Sequence, residues 1–293
     1  MLPIIFKMKK TSPFILIAIS ILISFSCNTG IKEQSIIPKG KLYIIGGGKR
    51  PPEMVKQLIE LSGVEQGKYI VVLPMSSEDV DTAAYWAIKQ FKDVGVTNIT
   101  WFDFQEGGPF EEHKLDSIVN AGMIYISGGD QNRFMKVALG SPLVDAIHKA
   151  YQNGAVIAGT SAGAAVQSKK MITGNQLLHP EMKGYKTIQP NNIEIAEGLG
   201  LINTVIIDQH FIWRERNNRL ISVAIENPNE LAIGIDESTA ILVEGCKATV
   251  YGISQVLVLN ASNAAITLTD SLLGASNIRM DVYVPGQTFS LVP

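Results

Sequence analysis

From Lys41 onward, short apolar runs alternate with amphipathic stretches. Lys41 to Ile45, Tyr69 to Leu73, Ile99 to Phe104, Met123 to Ser127 and Ala155 to Ala158 are nearly uninterrupted apolar segments of strand length. Glu53 to Leu61, Thr82 to Val94, Leu115 to Asn120 and Leu143 to Asn153 carry the spacing of helices between them. Strands without a polar alternation must be buried on both faces, and helices between them supply that cover, so the pattern predicts a parallel sheet sandwiched by helices. No repeat and no linker interrupts the order before about Gly200. One α/β unit over 41–247 is therefore expected. From about Ala248 the runs shorten: Ala248 to Tyr251, Gln255 to Asn260, Ala265 to Thr269, Asp281 to Val284 and Thr288 to Val292 read as strands separated by turns. They predict a small antiparallel extension of the same domain over 248–293, packed on the main sheet.

The first 40 residues follow a different rule. Met8-Lys9-Lys10 is a positive start, and Phe14 to Phe25 is an uncharged apolar run of 12 residues, shorter than the roughly 20 needed to span a bilayer as a helix. It ends in Ser24-Phe25-Ser26-Cys27. The segment resembles a bacterial lipoprotein signal, in which small residues precede a cysteine that is lipidated after cleavage; an uncleaved anchor is the alternative, and Met8 is a second candidate start. The resemblance implies a signal peptide over 1–26, lipidation of Cys27, a tether over 27–40 and an exported protein held on a bacterial membrane, periplasmic or at the cell surface. Lys7, Lys9 and Lys10 are three of the 25 basic residues and the only charges before Cys27, leaving 22 against 27 acidic residues. No dense basic stripe with aromatics appears, which argues against a nucleic-acid partner. Cys246 is the one thiol after Cys27; it sits at the end of an apolar run and reads as a buried structural cysteine.

The candidate chemistry gathers at strand ends, where open α/β sheets bind ligands. Ala155-Val156-Ile157-Ala158 leads into Gly159-Thr160-Ser161-Ala162-Gly163, a G-x-S-x-G, and then into an Ala-rich helix start. This is the sequence form of a nucleophile elbow: a sharp turn exposes the Ser161 hydroxyl, and the helix start places backbone N–H groups beside it. A glycine-rich turn with Ser161 as a cap is the plainer reading. Gly46-Gly47-Gly48 lacks the spacing of a phosphate-binding loop and reads as a tight turn at the rim of the site. Ser127-Gly128-Gly129-Asp130-Gln131 offers backbone N–H groups and the Gln131 amide, with Asp130 also placed to cap the next helix. Asp208 and His210 close an apolar strand and point to the same side in extended geometry. As a metal pair they lack a third ligand at recognisable spacing, so no metal is expected. Arg214, Arg216 and Arg219 follow; on a regular helix Arg216 and Arg219 share a face and Arg214 points elsewhere. His113, His148 and His179 read as surface residues.

Taken in order, Ser127-Gly128-Gly129-Asp130-Gln131, Gly159 to Ala164, Asp208-Gln209-His210-Phe211 with the three arginines, and Gly234-Ile235-Asp236-Glu237-Ser238-Thr239-Ala240 resemble the cyanophycinases and their relatives in serine peptidase family S51, which also holds aspartyl dipeptidases. The resemblance runs from about Lys41 to Tyr251 and implies a flavodoxin-like, class I glutamine amidotransferase-like fold with no cofactor. It implies Ser161 as nucleophile, His210 as general base and Glu237 as the acid that orients it, with Asp236 a rival for that third place. Ala162, with Gly129 or Asp130, would supply the oxyanion N–H groups, and Gln131, Asp208, Arg214, Arg216 and Arg219 would line the substrate pocket. The order serine, histidine, acid differs from that of α/β-hydrolases, which place the acid before the histidine. The implied reaction is exopeptidase cleavage of β-aspartyl peptides, with cyanophycin, a poly-aspartate bearing arginine on its side-chain carboxyls, as the first substrate and β-Asp-Arg as product. An α-aspartyl dipeptidase and a non-catalytic ligand-binding lipoprotein are the alternatives, and the family resemblance suggests a homodimer.

Overall fold

The computed structural model describes residues 38–293. The signal segment and Cys27 lie outside them, as does the tether up to residue 37. In chain order the first half is β1 (Lys41–Ile45), α1 (Pro52–Ser62), β2 (Ile70–Leu73), α2 (Val80–Lys92), β3 (Ile99–Trp101), α3 (Glu112–Val119), β4 (Met123–Ile126), α4 (Gln131–Ala138), α5 (Pro142–Asn153), β5 (Val156–Thr160) and α6 (Ala162–Ala165). The second half holds β6 (Lys170–Gln176), β7 (Ile193–Glu197), β8 (Val205–Gln209), α7 (Asn217–Glu226), β9 (Leu231–Ile235), β10 (Thr239–Glu244), β11 (Lys247–Gly252), β12 (Val256–Asn260), β13 (Ala265–Leu268), β14 (Leu273–Ser276), β15 (Arg279–Tyr283) and β16 (Thr288–Ser290).

The main sheet has the order β16-β11-β10-β1-β5-β4-β2-β3. β1, β5, β4, β2 and β3 run parallel, and β10, β11 and β16 extend it antiparallel on the β1 edge. Alternate residues of one strand enter different cores, as the pleat dictates. Leu42 and Ile44, Val71 and Leu73, and Ile124 and Ile126 face one core with α3, α4 and α5, while Tyr43 and Ile45, Ile70 and Val72, and Met123 and Tyr125 face the other with α1 and α2. Two-sided burial is why these strands read as unbroken apolar runs. α5 starts with Ser141 accepting from Leu143 N–H and ends at Gly154 in the left-handed region (φ 111°), a side-chain cap and a glycine stop.

A second sheet, β15-β12-β9-β8, packs its Ile207, Ile233 and Val258 into the first core and its Ile206, Ala232 and Leu259 against α7. The segment expected as an extension laid on the main sheet is instead divided between both sheets. β11 and β16 join the main sheet and β12 and β15 the second, while β13 and β14 form a separate hairpin. Consecutive strands change between the main and second sheets at 236–238, 253–255 and 284–287, and the first of these crossings carries the Asp236-Glu237 pair. Cys246 is exposed rather than buried, because Gly245-Cys246 forms the two-residue turn joining β10 and β11, where Glu244 faces Lys247. The hairpin β6–β7 had no clear period in the sequence; it covers the end of β8 and bears on the site.

Candidate active site

Ser161 follows the last residue of β5 with φ 54° and ψ −110°, an uncommon conformation for a residue with a Cβ. Its N–H donates to Ile45 O at 3.0 Å, and α6 begins at the next residue. The turn is that tight because Gly159 lets the helix return onto the strand: a Cβ there would sit 2.0 Å from Gly163 O.

His210 terminates β8 in the same way. At φ 49° it leaves strand geometry, and its N–H donates to Gly46 O at 2.7 Å. The expected same-side projection of Asp208 and His210 therefore does not occur: Asp208 faces α7, whereas His210 turns to the elbow. His210 Nε2 lies 2.8 Å from Ser161 Oγ, and His210 Nδ1 lies 2.5 Å from Glu237 Oε1. An ionised carboxylate only accepts, so in the neutral ring the proton sits on Nδ1 and Nε2 accepts from the Ser161 hydroxyl. Asp236, the rival carboxylate, is committed elsewhere: it accepts from Trp213 N–H at 2.9 Å and from Ser254 Oγ at 2.7 Å.

Gly46-Gly47-Gly48, expected at the rim, lies under the histidine. A Cβ on Gly47 (φ 122°) would sit 2.3 Å from His210 Cε1, so only glycine admits the ring. Gly47 O also accepts from Ser238 N–H at 2.8 Å, fixing the segment that bears Glu237. Burial pushes the His210 imidazole below its ordinary value; the Glu237 hydrogen bond works the other way, and the Arg214 and Arg216 charges add to the effect of burial.

Of the oxyanion candidates, Ala162 heads α6, and its N–H has no intrahelical acceptor. Asp130 is not available: its N–H donates to Ser76 O at 2.7 Å, and its carboxylate caps α4 through Asn132 N–H at 2.8 Å. Gly128 is the residue of that turn packed against the nucleophile, a Cβ on it falling 3.4 Å from Ser161 Cβ.

The expected pocket residues divide. Gln131 is buried, and its amide nitrogen donates to Ile172 O at 2.9 Å and Thr173 O at 2.6 Å. It ties α4 to β6 instead of presenting its N–H groups to a ligand. Asp208 and Arg219 are buried together; Arg219 Nε donates to Asp208 Oδ2 at 2.7 Å and Nη2 to Asp208 Oδ1. Arg219 also stacks over Tyr185, 4.5 Å from its ring centre. This pair is a strut rather than an open surface. Arg216 and Arg214 do line a cavity of about 440 Å³, with Asn175, Gln176 and Tyr185 among its other walls. Both reach it because α7 begins only at Asn217, so helical spacing does not separate them. Arg216 Nη1 donates to Gln209 O and, at 3.0 Å, to Gln209 Oε1, while its Nε has no partner among the described residues. Burial, with Arg219 beside it, lowers Arg216 to about 10, so it keeps its charge at neutral pH. Gln209 Oε1 is in turn 3.5 Å from Ser161 Oγ, which links the arginine cavity to the elbow. Gln209 and Tyr185 carry roles the sequence did not mark; Gln209 stood inside a quoted motif, and Tyr185 lies in a polar loop without periodicity.

A serine hydroxyl bonded to a histidine that is bonded to a carboxylate, at the end of a parallel strand, is the geometry by which serine hydrolases activate their nucleophile. The chain belongs to peptidase family S51, whose model matches residues 42–251, and it is a serine-type peptidase. It is 32% identical over 213 residues to the cyanophycinase of Nostoc sp., covering 70% of this chain and 68% of that protein. It is 28% identical over 266 residues to the cyanophycinase of Synechococcus elongatus, covering 86% and 80%. Peptidase E of Actinobacillus pleuropneumoniae is 28% identical over 157 residues, half of this chain and 61% of that one. A crystal structure of a peptidase from an acI-B1 Actinobacterium superposes with a TM-score of 0.64 at 23% identity, covering 86% of this chain and 96% of that one, and supports the fold.

Proposed function

We propose that Ser161, His210 and Glu237 are the catalytic triad of an exopeptidase acting on β-aspartyl, cyanophycin-type peptides and releasing β-Asp-Arg. The observation that carries the reading is the Ser161–His210–Glu237 hydrogen-bonded chain beside a cavity that holds Arg214 and Arg216. Ser161 Oγ attacks the scissile carbonyl carbon as its proton passes to His210 Nε2. The Ala162 N–H, with one from Gly128-Gly129, binds the resulting oxyanion. Collapse breaks the C–N bond, the leaving amine takes the proton from Nε2, and water repeats the sequence on the acyl-enzyme. Glu237 holds the Nδ1 tautomer and balances the imidazolium. Asp208 is bound through both oxygens by Arg219 and lies 3.6 Å from Arg216 Nη1, so three arginines against one carboxylate leave positive charge at the cavity, which suits substrate carboxylates.

The test is product analysis with a chain starting at Asn28, incubated with cyanophycin and with β- and α-aspartyl dipeptides. Release of β-Asp-Arg supports the reading, and loss of release in Ser161→Ala with an unchanged fold assigns the nucleophile. Cleavage of α-aspartyl dipeptides alone moves the protein to the dipeptidase reading, and no cleavage favours a binding lipoprotein. We further propose export and anchoring through a lipidated Cys27, from the apolar run that precedes it; retention of the Cys27→Ser protein in the soluble exported fraction is the expected result. Self-association as a homodimer belongs to the same proposal and is read by sedimentation of the soluble form.

A further inference from the structure

Ser161 and His210 also line a second cavity of about 300 Å³, with Arg50, Trp86, Tyr125 and Ser127 among its walls. It shares no lining residue with the Arg214–Arg216 cavity. We propose that this second cavity is a substrate subsite that binds a carboxylate-bearing unit of the peptide, one unit along the chain from the carboxylate held at Arg214 and Arg216. The proposal rests on the peptidase reading above.

Three features point to a ligand. Tyr125, on β4, is 1% exposed, and its hydroxyl has no hydrogen-bond partner among the described residues. Buried hydroxyl groups are nearly always satisfied, so an unpaired one in a cavity wall is a position from which a ligand can be held. Arg50 is oriented but not neutralised. Its Nε donates to Gln90 Oε1 at 2.8 Å and its Nη1 to Gly48 O at 2.9 Å, while among the described residues its Nη2 has no acceptor and no carboxylate pairs with it. A fixed guanidinium with a free edge is the group best shaped for a carboxylate. Trp86 is 58% exposed and braced edge-on by Tyr85, with ring centres 5.1 Å apart. An exposed indole beside a nucleophile gives an extended peptide an apolar wall. The surroundings favour an anion: Arg50 and Trp86 also line a neighbouring cavity with Lys49 and Lys89, and the one acid among its lining residues, Asp93, is already paired with Lys89 at 2.7 Å.

A substrate with a carboxylate on each successive unit would therefore be held at two cationic points, one in each cavity, with Ser161 bordering one and linked to the other through Gln209. The experiment uses an oligomer of two β-Asp-Arg units in which either arginine carboxylate is amidated separately. In the unsubstituted chain, amidation at either unit is expected to lower kcat/KM about tenfold or more, the scale of a lost charge-assisted hydrogen bond. Arg50→Met should abolish discrimination at one unit and Arg214→Met at the other, and Trp86→Ala should raise KM several-fold. If Arg50→Met leaves discrimination at both units intact, or acts at the same unit as Arg214→Met, the inference is overturned. Reaction of Ser161 with a fluorophosphonate probe, absent in Ser161→Ala, checks the nucleophile separately, so failure of the peptidase reading is distinguishable from failure of the subsite.

Discussion

Replacing Gly47 with alanine places a methyl group where His210 now stands. The added Cβ would lie 2.3 Å from Cε1 and 2.5 Å from Nε2, whereas ordinary contact begins near 3.4 Å. The imidazole must retreat by about 1 Å, because the backbone beneath it is held by the His210 N–H to Gly46 O bond at 2.7 Å. Retreat stretches the 2.8 Å His210 Nε2 to Ser161 Oγ bond to nearly 4 Å, beyond hydrogen-bond range. Misplacement of a catalytic group by about 1 Å costs on the order of 10²-fold in rate, equivalent to about 2.7 kcal/mol of transition-state stabilisation. Alanine at φ 122° adds backbone strain of about 1–3 kcal/mol to the folded state. Gly47→Ala should therefore fold, melt several degrees lower, and lose about two orders of magnitude in kcat with a much smaller change in KM. Steady-state kinetics on the β-Asp-Arg oligomer, with circular dichroism melts alongside, measure both quantities. A variant within threefold of the parent in kcat would refute the claim that the glycine loop positions the histidine.

Other contacts of the site set four further outcomes. Because burial lowers His210, the acid limb of kcat/KM should fall below pH 6.5 rather than at it; a limb at or above 6.5 would contradict a buried base. The same shift makes the neutral ring the form preferred in the fold, so its contribution to stability is full above the unfolded value and is lost as pH falls through the folded one, which melts between pH 7 and 5 would read. Asp208→Asn leaves the buried Arg219 charge without its partner and should cost about 3–5 kcal/mol, whereas Asp208→Asn with Arg219→Met should recover much of it; equal melting of the single and double variants would show that the pair is not the strut described. Asp236→Ala removes the acceptor for Trp213 N–H and Ser254 Oγ and should cost about 1 kcal/mol of stability with kcat/KM near the parent, while Glu237→Gln should depress kcat; the reverse pattern would make Asp236 the orienting acid.

Much of this was legible in the sequence wherever a local rule decided the outcome. Strands β1, β2, β4 and β5 were visible because two-sided burial removes polar residues from them, and the elbow because G-x-S-x-G after such a strand needs no distant contact. Strands β6 and β7 were not, since their faces are a mixture of buried and half-buried positions that breaks both periods. Asp208 and Arg219 looked like pocket residues because charges at a strand end usually face solvent; their burial depends on Tyr185 and α7 closing over them, which no spacing within 208–219 records. Asp130 was a sound candidate donor until Ser76, from the loop after β2, claimed its N–H. Cys246 misled for the opposite reason: its apolar neighbours belong to a buried strand, but the turn carries it out of the sheet.

The three pieces of the hydrogen-bonded chain arrive from different places: Ser161 from the end of β5, His210 from the end of β8 in the other sheet, and Glu237 from the crossing between β9 and β10. No two of them are sequence neighbours, and two sheets must dock before they meet. What sets their register is the last residue of β1 and the two glycines after it. Ile45 O accepts from Ser161 N–H, Gly46 O from His210 N–H and Gly47 O from Ser238 N–H, three consecutive carbonyls that hold Ser161, His210 and the residue next to Glu237. β1 is also the strand that pairs with both β5 and β10, so the segment continues the register of the sheet into the site. The contributors are consequently fixed by backbone bonds to a common ruler rather than by contacts among themselves. Substitution of Ser161, His210 or Glu237 should thus remove chemistry while leaving the others in place, whereas a side chain on the glycine loop should disturb all three at once.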